Sequence, residues 1–262
     1  MKGSEFLVKE PKLDEVFIYE DFNEEQMMMY KATKDFIYSE ILTNIEKIDK
    51  QEGTLVEDIL RSAGELGLLG VSIPENLNGL GMSFNTSMLI ADIIGIAGSF
   101  GTTYGAHTGI GTLPILYYGT KEQKEKYIPK LATGELIGCY CLTEPTAGSD
   151  ANSGKSKVKL SKDKTHYILS GQKIWISNGG FADIHIVFAK IGKDKNLSAF
   201  IVDAKSEGIS MAPEEVKLGI KGSSTRQIFY ENVKIKIYNA NQVVMQGRKL
   251  KRIIIKKDLI KT

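Results

Sequence analysis

The sequence predicts a multidomain chain of α and β type, with an all-helical amino-terminal domain followed by an antiparallel β-barrel or sandwich-like domain. Three observations carry this expectation. After Asn23 the chain runs from residue 24 to residue 50 without a Gly or Pro, as a capped helix of several turns requires. Thr54 with Glu57, and Thr120 with Gln123, have the spacing of capping boxes at two further helix starts. From Leu136 onward the pattern changes to short β-branched or alternating runs separated by polar turns.

In order along the chain, the Asn23 cap with its acidic first turn opens the first helix, expected to reach about Lys50. Leu55, Ile59, Leu60, Leu66 and Leu69 recur near the helical period up to Gly70 and give a second helix. VSIPENLNGLGMS is rich in Gly, Asn and Pro and reads as a loop. Thr86 to Ala97 reads as a largely buried helix, with further helical pieces over residues 100 to 118. KEQKEKYIPKLATG is a helix that must accommodate Pro129. The runs LIGCYCLT, SKVKLS, HYILSGQKIWIS, DIHIVFAKI, LSAFIVD, ISMAP and QIFYENVKI read as strands. Their connections, such as SKDKT and GKDKN, suit hairpins and are too short to hold a crossover helix. The expected division is 1–135 helical, 136–235 β and 236–262 a divergent tail.

With 42% hydrophobic and 25% charged residues among 262, the composition is that of an ordinary globular protein and excludes disordered and collagen-like classes. No apolar run approaches the length of a membrane span, and the first twenty residues lack the pattern of an export signal. Cys139 and Cys141 lie two apart in an apolar run, which reads as a reduced pair in a core, and a cytoplasmic setting is expected. His107, His166 and His185 are scattered, with no HExxH and no zinc-type Cys/His spacing, so no metal enzyme is expected. The net charge of +2 conceals a basic end: residues 248–262 hold seven of the 34 Lys and Arg and one of the 32 Asp and Glu. Such a cluster is compatible with nucleic acid or an anionic membrane, neither of which the rest of the chain suggests.

Two stretches carry possible chemistry. In YCLTEPTAGSD (140–150) an apolar strand ends in a Glu-Pro turn and an Ala-Gly-Ser-Asp loop, able to offer amides and hydroxyls to a phosphate or a heterocycle edge. Most such turns after strands are only turns. In QKIWISNGG (172–180) a strand would show Trp175 and Ser177 on one face, an indole beside a hydroxyl. A lone Trp in a strand is more often core.

Taken together, YCLTEPTAGSD followed by WISNGG resembles the paired signature of the acyl-CoA dehydrogenase family. GLLGVSIPENLNGLGMS, TKEQKEKYIPKLATGE and KLGIKGSSTRQIFYENVKI resemble family segments in the same order, over about residues 20 to 235. The opening GSEFLVKEPKLDEVFIYEDFNEEQ resembles the very-long-chain branch. The resemblance implies FAD as cofactor. Tyr140, Leu142 and Thr143 would line the flavin ring, Gly148 and Ser149 would sit near the diphosphate, and Ser149 would also touch the acyl-CoA. Trp175, Ile176 and Ser177 would cover the other side of the ring; many relatives carry Thr at the Ser177 position, which supplies the same hydroxyl. The implied reaction is α,β-dehydrogenation of a fatty acyl-CoA to a trans-2-enoyl-CoA, with an electron-transfer flavoprotein as acceptor and a homo-oligomer as the working state. Acyl-CoA oxidase and nitroalkane oxidase relatives share these motifs and differ in how oxygen reaches the reduced flavin.

The family's catalytic carboxylate belongs to a carboxyl-terminal helical bundle, and after Val233 the sequence no longer follows the family. No acid from Glu135 onward matches the base position, Glu144 and Asp150 included. The expectation is therefore a catalytic family with no catalytic residue in this stretch, consistent with a truncated, inactive form or a non-catalytic fragment that binds flavin or acyl-CoA.

Overall fold

The computed structural model describes residues 5–10, 12–236 and 243–245. Its first half is helical: α1 (Glu24–Phe36), α2 (Ile45–Asp49), α3 (Leu55–Glu65), α4 (Phe84–Ile94), α5 (Ser99–Gly105), α6 (Leu113–Tyr118) and α7 (Lys121–Ala132). The Asn23 cap forms as expected, its Oδ1 accepting from the Gln26 amide at 2.9 Å while Gln26 Oε1 accepts from the Asn23 amide at 3.0 Å. Thr120 and Gln123 make the same reciprocal pair, and α7 runs through Pro129. The box at Thr54 does not form. Its backbone is at φ −103°, ψ 15°, away from the extended cap conformation, and its hydroxyl donates to Asp58 Oδ2 at 2.8 Å instead.

The first helix is not continuous to Lys50. A wide turn at Ile37–Ile41 and a tight one at Leu42–Asn44 separate α1 from α2. Both keep the backbone hydrogen-bonded, so no Gly or Pro is needed to mark the break. A second wide turn, Ala106–Gly111, joins α5 to α6.

The second half is a single curled sheet of β1 (Gly138–Cys141), β2 (Lys157–Leu160), β3 (His166–Ser177), β4 (Ile184–Ile191), β5 (Leu197–Asp203), β6 (Ile209–Met211), β7 (Thr225–Lys236) and β8 (Val243–Met245). The order is β6-β7-β3-β2-β4-β5-β8, with β1 also on β4. Most pairings are antiparallel, as the hairpin loops require. Two are not: β1 and β2 both run parallel to β4. Short loops do not exclude this, because the parallel partners are not consecutive and the β2–β3 hairpin supplies the return that a crossover helix would otherwise make.

The sheet buries both faces. Ile184, Ile186 and Phe188 of β4, with Leu197, Ala199 and Ile201 of β5, pack on Ile115, Ile128 and Leu131 of the helical half. Val187, Ala189, Phe200 and Val202 face the interior of the curl with Cys139, Cys141, Ile228 and Tyr230. A separate helical core holds Ile37, Ile41, Leu60, Ile90 and Phe100. The two halves meet with almost no clearance at Gly111 and Gly138, where a Cβ on Gly111 would lie 2.7 Å from the Gly138 carbonyl. Beside them the fully buried His107 is fixed from both sides: the Gly138 amide donates to its Nδ1 at 3.1 Å, so Nε2 carries the proton and donates to the Leu131 carbonyl at 2.9 Å. No helix among the described residues is long and apolar enough to cross a membrane. Within the expected tail, Val243–Met245 pairs with β5; the basic residues 248–262 lie outside the described residues.

Candidate functional site

β1 delivers Leu142 and Thr143 to the edge of β3, where the Ile174 amide donates to the Thr143 carbonyl at 3.0 Å. The two sequence stretches are thus joined directly. What fixes the junction is Lys173, whose side chain is wholly buried and whose ammonium donates to the Leu142 carbonyl at 3.0 Å, the Phe188 carbonyl at 2.7 Å and Glu144 Oε1 at 2.7 Å. Glu144 accepts in addition from the Lys155 and Ser156 amides. Burial alone would raise the Glu144 carboxyl, but the Lys173 ammonium and these donors outweigh it and hold it below the usual carboxylate range. Burial pushes the Lys173 ammonium down. Neither residue was singled out by the sequence as a site former, although a Lys between apolar strand positions is a legible oddity.

Downstream of Glu144 the chain makes a tight turn closed by paired backbone bonds with Ala147, at 3.1 and 3.0 Å. Gly148, Ser149 and Asp150 stand exposed beyond it. Gly154 closes the loop against Glu144, where a Cβ would meet the carboxylate at 2.9 Å. Tyr140 points to the helical side of the sheet, its ring 4.7 Å from that of Phe188, and burial raises its hydroxyl's pKa.

Trp175 is not core. Its side chain is on the surface, at 64% exposure, and its backbone is left-handed at φ +55°. The cause is a bulge: the β3–β7 register slips between Lys173 and Ile176. A bulky residue in this conformation is an outlier that costs on the order of 1–3 kcal/mol and marks functional sites more often than scaffolds. Ile174 and Ile176 are buried on either side while Ser177 is half-exposed, so Trp175 and Ser177 are the open positions, as the strand pattern predicted. Ile176 can offer a ligand only its backbone.

Asn178, which the sequence reading passed over, binds the end of β3 to the helical half. It is fully buried with φ +61°, its amide nitrogen Nδ2 donates to the Thr103 carbonyl at 3.0 Å, and its backbone N–H donates to the Ser224 carbonyl at 2.9 Å. An Asn-Gly pair that permits the left-handed backbone was the available signal. Thr103 belongs to α5, one wall of an apolar cavity of about 500 Å³ lined by Leu69, Val71, Met88, Ile94, Tyr104 and Leu113. Gly95, Gly101, Gly105 and Gly109 also line it, and a Cβ added at Gly95, Gly105 or Gly109 meets nothing within 4 Å. The glycine spacing was visible in the sequence; its meaning was not, because a helix interior gives Gly no local reason to be there.

A helical domain feeding a curled mixed sheet, with the strand-end loop of one motif bonded to the strand of the other, defines the class of acyl-CoA dehydrogenase-like folds. The chain belongs to the acyl-CoA dehydrogenase family: the family's N-terminal domain matches residues 23–135 and its middle domain residues 139–233. It is 46% identical to a probable acyl-CoA dehydrogenase of Bacillus subtilis, over 89% of this chain and 39% of that protein. It is 38% identical to the human mitochondrial very long-chain specific acyl-CoA dehydrogenase, over 90% of this chain and 38% of that one. The crystal structure of an acyl-CoA dehydrogenase complexed with FAD from Bacillus anthracis superposes with a TM-score of 0.91 at 45% identity, covering 97% of this chain and 44% of that chain. The chain thus spans about two-fifths of the length of these relatives.

Proposed function

We propose that these residues form the flavin-facing and acyl-facing part of an FAD-dependent dehydrogenase that converts long-chain fatty acyl-CoA to trans-2-enoyl-CoA, passing electrons to an electron-transfer flavoprotein in a cytoplasmic setting. The observation that carries this reading is the exposed indole of Trp175, held in a left-handed backbone on a bulge and bonded through Ile174 to Thr143. A surface Trp kept in strain suits a planar ring that would stack on it. Bound there, FAD supplies the hydride acceptor. Leu142 and Thr143 would offer backbone and hydroxyl hydrogen bonds to the ring edge. The exposed Gly148 and Ser149 would serve the diphosphate and the acyl-CoA, and Tyr140, Ile176 and Ser177 complete the proposed set. The proton is removed in the family by a carboxylate of a carboxyl-terminal bundle, so these 262 residues alone are expected to bind flavin without bleaching it under acyl-CoA; bleaching would overturn that expectation.

The decisive variant is Trp175→Gly. Glycine adopts φ +55° without strain, and little buried area is lost, so stability should hold or rise by up to about 1 kcal/mol. FAD affinity, read by titration against flavin fluorescence, should fall at least about tenfold, the worth of one stacking contact. Unchanged affinity would remove the flavin assignment.

The cavity beside α5 is the proposed acyl site. Gly105→Leu has room for its Cβ and should fill the cavity without unfolding α5. Calorimetric binding of a long-chain acyl-CoA should weaken about tenfold or more while butyryl-CoA is unaffected. Equal loss for both would place the acyl chain elsewhere.

A further inference from the structure

The parallel pairing of β1 with β4 sets Cys139 directly across from His185. Strand alternation puts Cys141 on the same face. All three side chains are fully buried inside the curl of the sheet. The two sulfurs lie 3.6 Å apart, and one ring nitrogen of His185 lies within 4.8 Å of both. No part of the proposed flavin or acyl sites uses these residues. We propose that Cys139, Cys141 and His185 form a buried site for a thiophilic closed-shell cation, Zn²⁺ or Cu⁺.

Three features favour a ligand set over a plain core. The first is the sulfur separation: two metal–sulfur bonds of about 2.3 Å at a tetrahedral angle place the sulfurs about 3.8 Å apart, so the thiols need only a small movement. The imidazole must close by about an ångström or a little more to reach a bond of about 2.0–2.1 Å. The second is the state of His185. Its Nδ1 is 3.0 Å from the Tyr230 hydroxyl while Nε2 has no hydrogen-bond partner. A buried nitrogen without a partner calls for one, and Nε2 is one of six buried side-chain atoms in that state among the described residues. The third is composition. Two thiols and an imidazole select soft cations over Mg²⁺ or Ca²⁺, which take oxygen ligands. Binding releases the thiol protons to solvent with no change of oxidation state. Because the site has no exposure, the ion enters as the sheet folds and is retained against chelators until the sheet unfolds.

The test uses the purified untagged chain from medium supplemented with zinc and copper, with metal measured by mass spectrometry after exhaustive dialysis. One Zn²⁺ or Cu⁺ per chain is expected, resistant to EDTA in buffer and lost to it in denaturant. It should be absent from Cys139→Ala/Cys141→Ala and retained in His166→Ala, which changes a histidine outside the cluster. In case the double variant does not fold, wild-type chain refolded with Co²⁺ provides the second readout, since thiolate ligation gives an intense near-ultraviolet charge-transfer band. Substoichiometric metal in the wild-type chain, with no such band after cobalt refolding, overturns the site and leaves a core of neutral thiols and a neutral imidazole.

Discussion

Lys173→Met is expected to destabilise the protein by about 3–5 kcal/mol, a fall in Tm on the order of 10 °C for a chain of this size. The methionine fills most of the space, so the loss is electrostatic rather than one of volume. It leaves the Glu144 carboxylate buried without its counter-charge and removes the donor from the Leu142 and Phe188 carbonyls. Removing one member of a buried pair costs more than the pair contributes, because the remaining charge keeps its desolvation penalty. Adding Glu144→Gln should recover part of the loss: the amide oxygen still accepts from Ser156 while the stranded charge is gone. A thermal or chemical denaturation cycle over the two sites measures the coupling. Additive effects would mean that the ion pair does not hold the Leu142–Glu144 junction.

Mild acid should destabilise the fold well before its carboxylates are protonated. Burial depresses His107 from 6.5 to about 4, and its hydrogen bonds to Gly138 and Leu131 use the neutral ring. Between those values the unfolded chain takes up a proton that the folded chain refuses. Stability from this group is therefore intact above pH 6.5 and declines as the pH falls towards 4. Two and a half pKa units at about 1.4 kcal/mol each amount to about 3–4 kcal/mol. Glu144 contributes in a lower window, being held below the usual carboxylate range: its share is present above the ordinary carboxyl value and is lost as the pH falls through its own. Because burial lowers His185 to about 4 as well, the His107 share is read as the difference between the wild-type chain and His107→Gln in urea denaturation at pH 7 and pH 5, expected to be about 2 kcal/mol over that interval. His107→Gln should flatten the dependence whatever its stability at pH 7. An unchanged slope would assign the acid sensitivity to other groups.

The features legible in the sequence are the local ones. Asn23 and Thr120 cap helices because a cap is settled within four residues, whereas Thr54 met the same rule and lost its partner to Asp58. The strands of the second half follow from β-branched runs between polar turns, but alternation tells which face a residue takes and not which strand lies beside it. That is why the parallel partners of β4 were missed, and with them the meeting of Cys139 with His185, forty-six residues along. Trp175 illustrates the same limit. Its motif was visible, yet its exposure and left-handed backbone come from a register slip against β7, some fifty residues away. Lys173 is buried because three oxygens from two separate segments, Leu142–Glu144 and Phe188, surround it.

The register of β3 against β7 also sets an order of events during synthesis. β3 is complete at Ser177, but the strand that covers its outer edge begins only at Thr225. At roughly 5–20 residues per second, a ribosome needs about 3–10 s to supply it. The helical half, which closes its own core from residues already made, can consolidate in that interval, while β3 waits with an unpaired edge open to neighbouring chains. The part of the protein that carries Trp175 is therefore the part whose folding is timed by translation.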